Sequence, residues 1–364
     1  MKKKNFIYIS ALCALMSFSF TSCGDDEDPI PEVPETPEPK PEQPVEGKSF
    51  MALYFLNSGN MGNNNSSLYM YDVEKDEVVP DYFLAQNGRG LGDTAQDMIV
   101  YGDKMYITVS GENTIEVTDL HAKSIKQIET DGQPRYMTMA GGKVYISYFD
   151  GYVARLDTAS LEVEAKVKVG RNPEQLAVSS NKLFVTNSGG MDYATEVGYV
   201  VDLSTFAEIK KVDVALNPTR VQADEQGNVY VVSMGNYTDI PNTVQKINAE
   251  TYEVTPLADC PNATEMAYED GKLYLFYAQY GMPDPSFMTF DTEKQSVGES
   301  FIMDGTSIGK PYSISAVGGN VYVAESDYKN NGDIYCFGGD GKLFKKFEAG
   351  LNPMKVVLAQ KDNI

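Results

Sequence analysis

Tryptophan is absent from this sequence, histidine occurs once, and lysine and arginine are outnumbered by aspartate and glutamate, 30 against 52. The one histidine, His121, sits in Asp119-Leu120-His121-Ala122-Lys123, which aligns with the turns Asp157-Thr158-Ala159-Ser160 and Asp202-Leu203-Ser204-Thr205. A turn position reads as solvated. The commonest general base is therefore lost, and every Ser-His-Asp or multi-histidine metal arrangement with it. The four cysteines, Cys13, Cys23, Cys260 and Cys336, show no zinc-type spacing with histidine. No EF-hand spacing appears either. The net charge of -22, about -18 of it on residues 49–364, disfavours nucleic acid, whose binding needs clustered cations. Helical periodicity is missing throughout. Long apolar runs are missing too, except for one near the start.

That run, Phe6 to Phe20, follows Met1-Lys2-Lys3-Lys4. It is too short to span a bilayer comfortably and reads as the apolar part of a signal peptide, residues 1–22. It ends in Phe20-Thr21-Ser22-Cys23-Gly24, which resembles the lipobox of bacterial lipoproteins, although that pattern prefers Leu where Phe20 stands. The resemblance implies cleavage before Cys23 and lipidation of its thiol. The acidic run Asp25-Asp26-Glu27-Asp28 is similar to the surface-export signal of Bacteroidetes lipoproteins. Residues 23–48 continue as an acidic, Pro- and Glu-rich stretch, a semi-rigid stalk that buries nothing. The expected location is the outer membrane, anchored by lipid and facing the exterior. Cys13 leaves with the signal peptide. Cys260 and Cys336 fall in different repeat units, so no disulfide is expected.

Residues 49–364 carry an internal repeat. A turn, a Lys or Asn, an apolar residue and an aromatic open an alternating strand at Lys104-Met105-Tyr106, Lys143-Val144-Tyr145, Lys182-Leu183-Phe184, Asn228-Val229-Tyr230, Lys272-Leu273-Tyr274 and Asn320-Val321-Tyr322. Ala52-Leu53-Tyr54 makes a seventh. Successive aromatics lie 52, 39, 39, 46, 44 and 48 residues apart, the period of a four-stranded propeller blade. The fourth unit shows all four strands: Glu174 to Val178, Leu183 to Asn187, Val197 to Leu203 and Ala207 to Val214. The last segment, Asn352 to Ala359, matches an inner strand with no second strand after it. The first unit begins at its second strand, Met51 to Asn57, and lacks an inner one. The two ends together complete one blade, which predicts an all-β, seven-bladed β-propeller closed by its termini.

Leu183-Phe184-Val185-Thr186-Asn187 resembles the repeat that names the YVTN family of propellers, and Gly170-Arg171-Asn172-Pro173 is similar to its strand entrance. The whole layout, from lipobox through stalk to Tyr-rich propeller, resembles Bacteroides surface lipoproteins, whose best understood branch is the BtuG-type cobalamin-binding family. That resemblance implies capture of cobalamin (vitamin B12), as ligand rather than cofactor, and its passage to a TonB-dependent outer-membrane transporter.

Aligned inner strands supply one polar residue per blade: Asp97, Tyr136, Gln175, Arg220, Glu265, Ser313 and Lys355. The next column is apolar throughout: Met98, Met137, Leu176, Val221, Met266, Ile314 and Val356. Such alternation sends the first set to the channel mouth and the second between blades. The preceding column contributes Arg135 and Tyr312. Loops expected on the same side carry Met61, Tyr148, Tyr152, Met191, Tyr193, Met234, Tyr237, Tyr277, Tyr280, Met282 and Tyr328. Tyr and Met suit binding loops, Tyr as a rigid flat face with a hydroxyl and Met as an adaptable apolar filler. The expected ligand-binding set is Asp97, Arg135, Tyr136, Gln175, Tyr193, Arg220, Tyr237, Glu265, Tyr280, Tyr312, Tyr328 and Lys355, with no catalytic residue, metal or cofactor. Such a face suits a corrinoid, but a glycan or a peptide asks for similar residues. Two other classes stand beside it. One is a scaffold for glycan or protein. The other is an enzyme using Asp97 or Glu265, for which a carboxyl pKa raised by burial is the discriminator.

Overall fold

The computed structural model describes residues 50–190, 195, 197–257, 260, 262–279 and 284–361. The segments expected to be a signal peptide and a stalk, with the expected lipidation site Cys23, lie outside them. Among the described residues are seven four-stranded antiparallel sheets. We number these blades one to seven from the N-terminus. Their inner strands are Pro353–Lys361, Ala95–Tyr101, Pro134–Ala140, Pro173–Ser179, Pro218–Ala223, Glu265–Glu269 and Pro311–Val317. Each inner strand contacts the next, and the last contacts the first. In blade one the C-terminal strand pairs antiparallel with Phe50–Asn57, so the chain's two ends close the ring. The protein is a seven-bladed β-propeller, as the repeat predicts.

The repeat owes its form to packing between blades. Residues of the second strand alternate between the interface behind and the interface ahead. Leu53, Met105, Val144, Leu183, Val229, Leu273 and Val321 pack backward. The aromatics Tyr54, Tyr106, Tyr145, Phe184, Tyr230, Tyr274 and Tyr322 pack forward onto the following blade. Seven separate cores result, one per interface, and each needs one large residue from the blade before it. The apolar inner-strand column, Met98 to Val356, fills the same interfaces, as the alternation requires.

Five inner strands begin with Pro, where the ladder asks for no N–H. In three of these the residue before is Asn172, Asn217 or Asn352 in the left-handed region, which Asn tolerates better than most residues. One departure from the all-strand expectation lies between blades one and two. Tyr82–Asn87 is a short α-helix, stopped by Gly88 at φ 67°, whose N–H bonds the Leu84 carbonyl. Six residues are too few to establish a helical period. The helix survives because Phe83 buries into the interface between blades one and two, under the Arg89 guanidinium.

Candidate functional site

Every inner strand starts at the same face of the ring, and antiparallel order brings the loops between second and third strands to that face as well. The central channel opens there, enclosing about 450 Å³. All seven residues of the polar column, Asp97, Tyr136, Gln175, Arg220, Glu265, Ser313 and Lys355, line this one cavity, together with Gln96, Tyr312 and Met354. Below them the wall turns mostly apolar, with Val100, Ala267, Ala316, Val317 and Leu358 among its residues.

The polar column is tied together across blades. The Asp97 carboxylate accepts the N–H of Met98 at 2.9 Å and that of Met137, on the next blade, at 2.8 Å. Gln175 Oε1 likewise accepts Val221 N–H at 3.2 Å, and the Ser313 hydroxyl donates to the Pro353 carbonyl at 2.7 Å. Arg220 Nε donates to Glu265 Oε2 at 2.8 Å, and its Nη2 donates to Oε1 of the same carboxylate. Such a fork fixes the guanidinium plane. Arg135 Nη1 meets Glu174 Oε1 at 2.8 Å. Tyr136 lies between these two pairs, with guanidinium carbons 5.5 Å (Arg135) and 6.0 Å (Arg220) from its ring centroid. Its hydroxyl accepts from Gln96 Nε2 at 3.1 Å.

Protonation follows burial. Burial pushes the Asp97 carboxyl above its usual range, opposed by Lys355 and by the N–H groups of Met137 and Met98. Burial alone would lower the Arg220 pKa, but Glu265, Tyr136 and Glu174 hold the guanidinium firmly protonated. Tyr136 and Tyr312 are both raised by burial, so both remain neutral phenols at ordinary pH.

The loops at the mouth are mixed in character. Met61 is 85 % exposed and Tyr328 60 %, and Phe149, Tyr237 and Ile240 are also well exposed on this face. Tyr328 stands edge-on to Tyr312, centroids 5.4 Å apart. Three tyrosines expected in loops are strand residues instead. Tyr148 ends a second strand and is fully buried, filling the interface between blades two and three. Tyr152 and Tyr277 are half-buried in strands. Their neighbour Phe149 takes the exposed place, and its position directly after a strand's last alternating residue was the signal for it. Met191, Tyr193, Tyr280 and Met282 lie outside the described residues. Arg135, expected at the mouth, turns toward Glu174 and Phe149 and is not part of the cavity wall. Cys260 and Cys336 are free and buried. Among the described residues, no three His, Cys, Asp or Glu side chains gather where a metal ion could sit.

A second cavity of about 570 Å³ opens beside blade two, walled by Asn64, the strap Arg89–Gly92, Glu112, Asn113, Gln127 and Glu129. Sequence reasoning missed it, because the strap belongs to the insertion that carries the helix. Arg89 is anchored there by Glu116, which is buried without exposure and also accepts from the Ser124 hydroxyl.

A closed seven-bladed wheel with a polar-rimmed channel is the class that fold and site define. The chain belongs to a family described as a domain of unknown function, DUF5074, which it matches over residues 52–276. Among solved structures, it is similar to a quinonprotein alcohol dehydrogenase-like protein of Bacteroides thetaiotaomicron, at 16 % identity and a TM-score of 0.59, over 83 % of this chain and 77 % of that one. The hydrazine synthase of Kuenenia stuttgartiensis gives 14 % identity and 0.57 over 70 % and 85 %. A computationally designed protein, Ika8, gives 11 % and 0.55 over 82 % and 88 %. At such identities the likeness is one of fold alone. No curated protein matches the sequence.

Proposed function

We propose that this protein is a cell-surface lipoprotein that binds a scarce small molecule, cobalamin first, at the channel mouth and passes it to a TonB-dependent outer-membrane transporter. The observation that carries the reading is convergence. Seven polar side chains from seven blades meet at one cavity, and exposed Tyr, Met and Phe side chains stand in the loops of the same face, Tyr328 against the lining residue Tyr312. A corrinoid has a broad ring edged with amides. Gln96, Gln175 and Tyr136 offer amide and phenol partners, and Tyr312 and Tyr328 offer flat contact area. Capture is then equilibrium binding to a surface already arranged by the interblade bonds, which limits the ordering cost of association.

The proposal is binding rather than catalysis. Asp97 does have the raised pKa expected of a catalytic carboxylate, but one of its oxygens is held by Met98 and the other by Met137. Both are occupied in joining blades two and three. Lipidation at Cys23 and outward display rest on the lipobox-like and acidic segments of the sequence. Surface digestion of intact cells by protease tests the display. A second reading, a glycan-binding scaffold, is favoured by the cavity beside blade two, whose Asn64, Asn113, Gln127, Glu112 and Arg89 are planar polar groups suited to hydroxyl pairs.

The deciding measurement is calorimetry of the fragment from residue 48 with cyanocobalamin. Saturable one-to-one binding is expected below micromolar concentration. Absence of heat at that concentration rejects the cobalamin assignment.

A further inference from the structure

Charged residues at the starts of the inner strands, in the cavity wall or just outside it, pair off between neighbouring blades. Lys355 of blade one faces Asp97 of blade two, Arg135 of blade three meets Glu174 of blade four, and Arg220 of blade five meets Glu265 of blade six. Seven is odd, so blade seven is left over. It brings Tyr312 and Ser313 at the corresponding positions, with Tyr328 above. Each of the three pairs joins one cation to one carboxylate.

The pairs are not equal. Both arginines are held at hydrogen-bond distance and are 19 % exposed. Lys355 is 35 % exposed, and its ammonium stands 3.9 Å from the nearest Asp97 oxygen, beyond hydrogen-bond reach. That carboxylate is instead engaged by two backbone N–H groups. Among the described residues the Lys355 ammonium makes no hydrogen bond, and the Tyr312 and Tyr328 hydroxyls make none. The two sectors adjoin. Ser313 bonds the Pro353 carbonyl, and Val356 N–H bonds Ser315 Oγ at 3.0 Å, which sets Tyr312 and Ser313 beside Met354 and Lys355.

We propose that the ligand of this mouth carries a planar ring and one anionic group, with the ring seated against Tyr312 and Tyr328 of blade seven and the anion taken by Lys355 of blade one. This rests on the reading of the mouth as a small-molecule site. It adds which sector receives which part of the ligand. An ammonium with three uncommitted donors in a partly desolvated channel is where an incoming anion gains most, since the charge of each guanidinium is already countered by a carboxylate at hydrogen-bond distance. The net negative charge elsewhere makes a single favourable cation decisive for orientation.

The test compares cyanocobalamin, which carries a phosphodiester, with dicyanocobinamide, which lacks the phosphate-linked nucleotide, on the detergent-solubilised full chain. Wild type is expected to bind cyanocobalamin about tenfold more tightly, the scale of one charge-assisted contact. Lys355→Gln should erase that difference, leave dicyanocobinamide binding unchanged and flatten the salt dependence. Lys355→Arg should restore the difference. Tyr328→Ala should weaken both ligands alike. If Lys355→Gln weakens both equally, or the preference survives it, the assignment of the anion to Lys355 is overturned while the corrinoid reading stands. If wild type binds neither ligand, the corrinoid reading falls and the orientation drawn from it falls too. Lys355→Gln leaves the backbone bonds of Asp97 in place, and an unchanged melting curve confirms the fold.

Discussion

On the face away from the mouth, third and fourth strands are joined by nearly identical turns. Asp72, Asp119, Asp157, Asn248 and Asp291 each accept two backbone N–H groups from two to four residues ahead through one side-chain oxygen, and Asp202 accepts the N–H and the hydroxyl of Thr205 in the same way. These turns satisfy themselves, present polar surface and recur with the blade period. The mouth face is connected by loops that differ from blade to blade. The loop after Asn57 runs nine residues to Ser67, whereas Tyr148 is followed by Tyr152 after only three. Here Met61, Phe149, Tyr237 and Tyr328 are exposed. One face repeats because each turn has only its own blade to close. The other varies because its loops meet something shared. On that contrast, stability is expected to belong to the ring and the turns, and recognition to the mouth.

The largest effect is expected from opening the ring. Removing residues 353–361 deletes the inner strand of blade one and strips Val356, Val357 and Ala359 from two interblade cores. It also leaves strand edges open on both sides of the gap. The truncated chain is expected to lose cooperative thermal unfolding or to aggregate. A native-like melt followed by circular dichroism would break the account of closure.

Next comes Arg220→Ala. It leaves Glu265 partly buried without its partner, for which a loss of about 2–4 kcal/mol in urea unfolding is expected, the lower part of the range reflecting the pair's partial exposure. Loss of under about 0.5 kcal/mol would show that water replaces the guanidinium at no cost.

A smaller effect belongs to the opposite face. Asp202→Ala removes bonds to Thr205 N–H and its hydroxyl, and a fall of about 1–3 °C in Tm is expected with ligand binding untouched. The same turns set the acid limit. Hydrogen bonding from Lys75, Lys143, Thr205 and Lys294 is the main cause holding Asp72, Asp157, Asp202 and Asp291 below the ordinary carboxylate range. A depressed folded pKa adds stability above the unfolded value and loses it as pH falls toward the folded one. Tm should therefore be level above about pH 5 and decline below about pH 4. Asp97 works in the opposite sense, since its raised pKa favours the protonated, folded form as pH falls. It is one raised group against the four turn carboxylates and further lowered ones such as Glu164, Asp304 and Asp327, so a Tm that rises below pH 4 would contradict the role given to the turns.

Much of the wheel was legible because blades are periodic. The spacing of Tyr106, Tyr145, Phe184 and Tyr230 reports the blade length, and alternation in the inner strands places Asp97 through Lys355 on the channel. What escaped was what happens once per molecule. The helix Tyr82–Asn87 and the strap after it have no counterpart in other blades, so no alignment column could expose them or the cavity they wall. Side-chain partnership escaped for a different reason. Arg135 stands in a polar column, but whether it faces ligand or Glu174 depends on the neighbouring blade, 39 residues away in sequence and beside it in space. The boundary at Tyr148 lies one position later than composition suggests, with Tyr148 in the strand and Phe149 in the loop. A strand residue and the loop residue after it look alike in composition, but one fills a core and the other meets solvent.

The smallest effect expected on stability is also the sharpest test of the two-face contrast. Met61 is 85 % exposed at the tip of the longest loop of blade one. An apolar side chain so placed contributes almost nothing to folding, so Met61→Ser should change unfolding free energy by less than about 0.5 kcal/mol. If the mouth face is a recognition surface, that silent substitution should still weaken ligand or transporter binding measurably. The equivalent change on the far face, Val73→Ser, also exposed, should leave both stability and binding unaltered. Equal binding by all three proteins would mean that exposure of large apolar residues around the channel has no bearing on what the channel holds. The contrast between faces would then reduce to loop length alone.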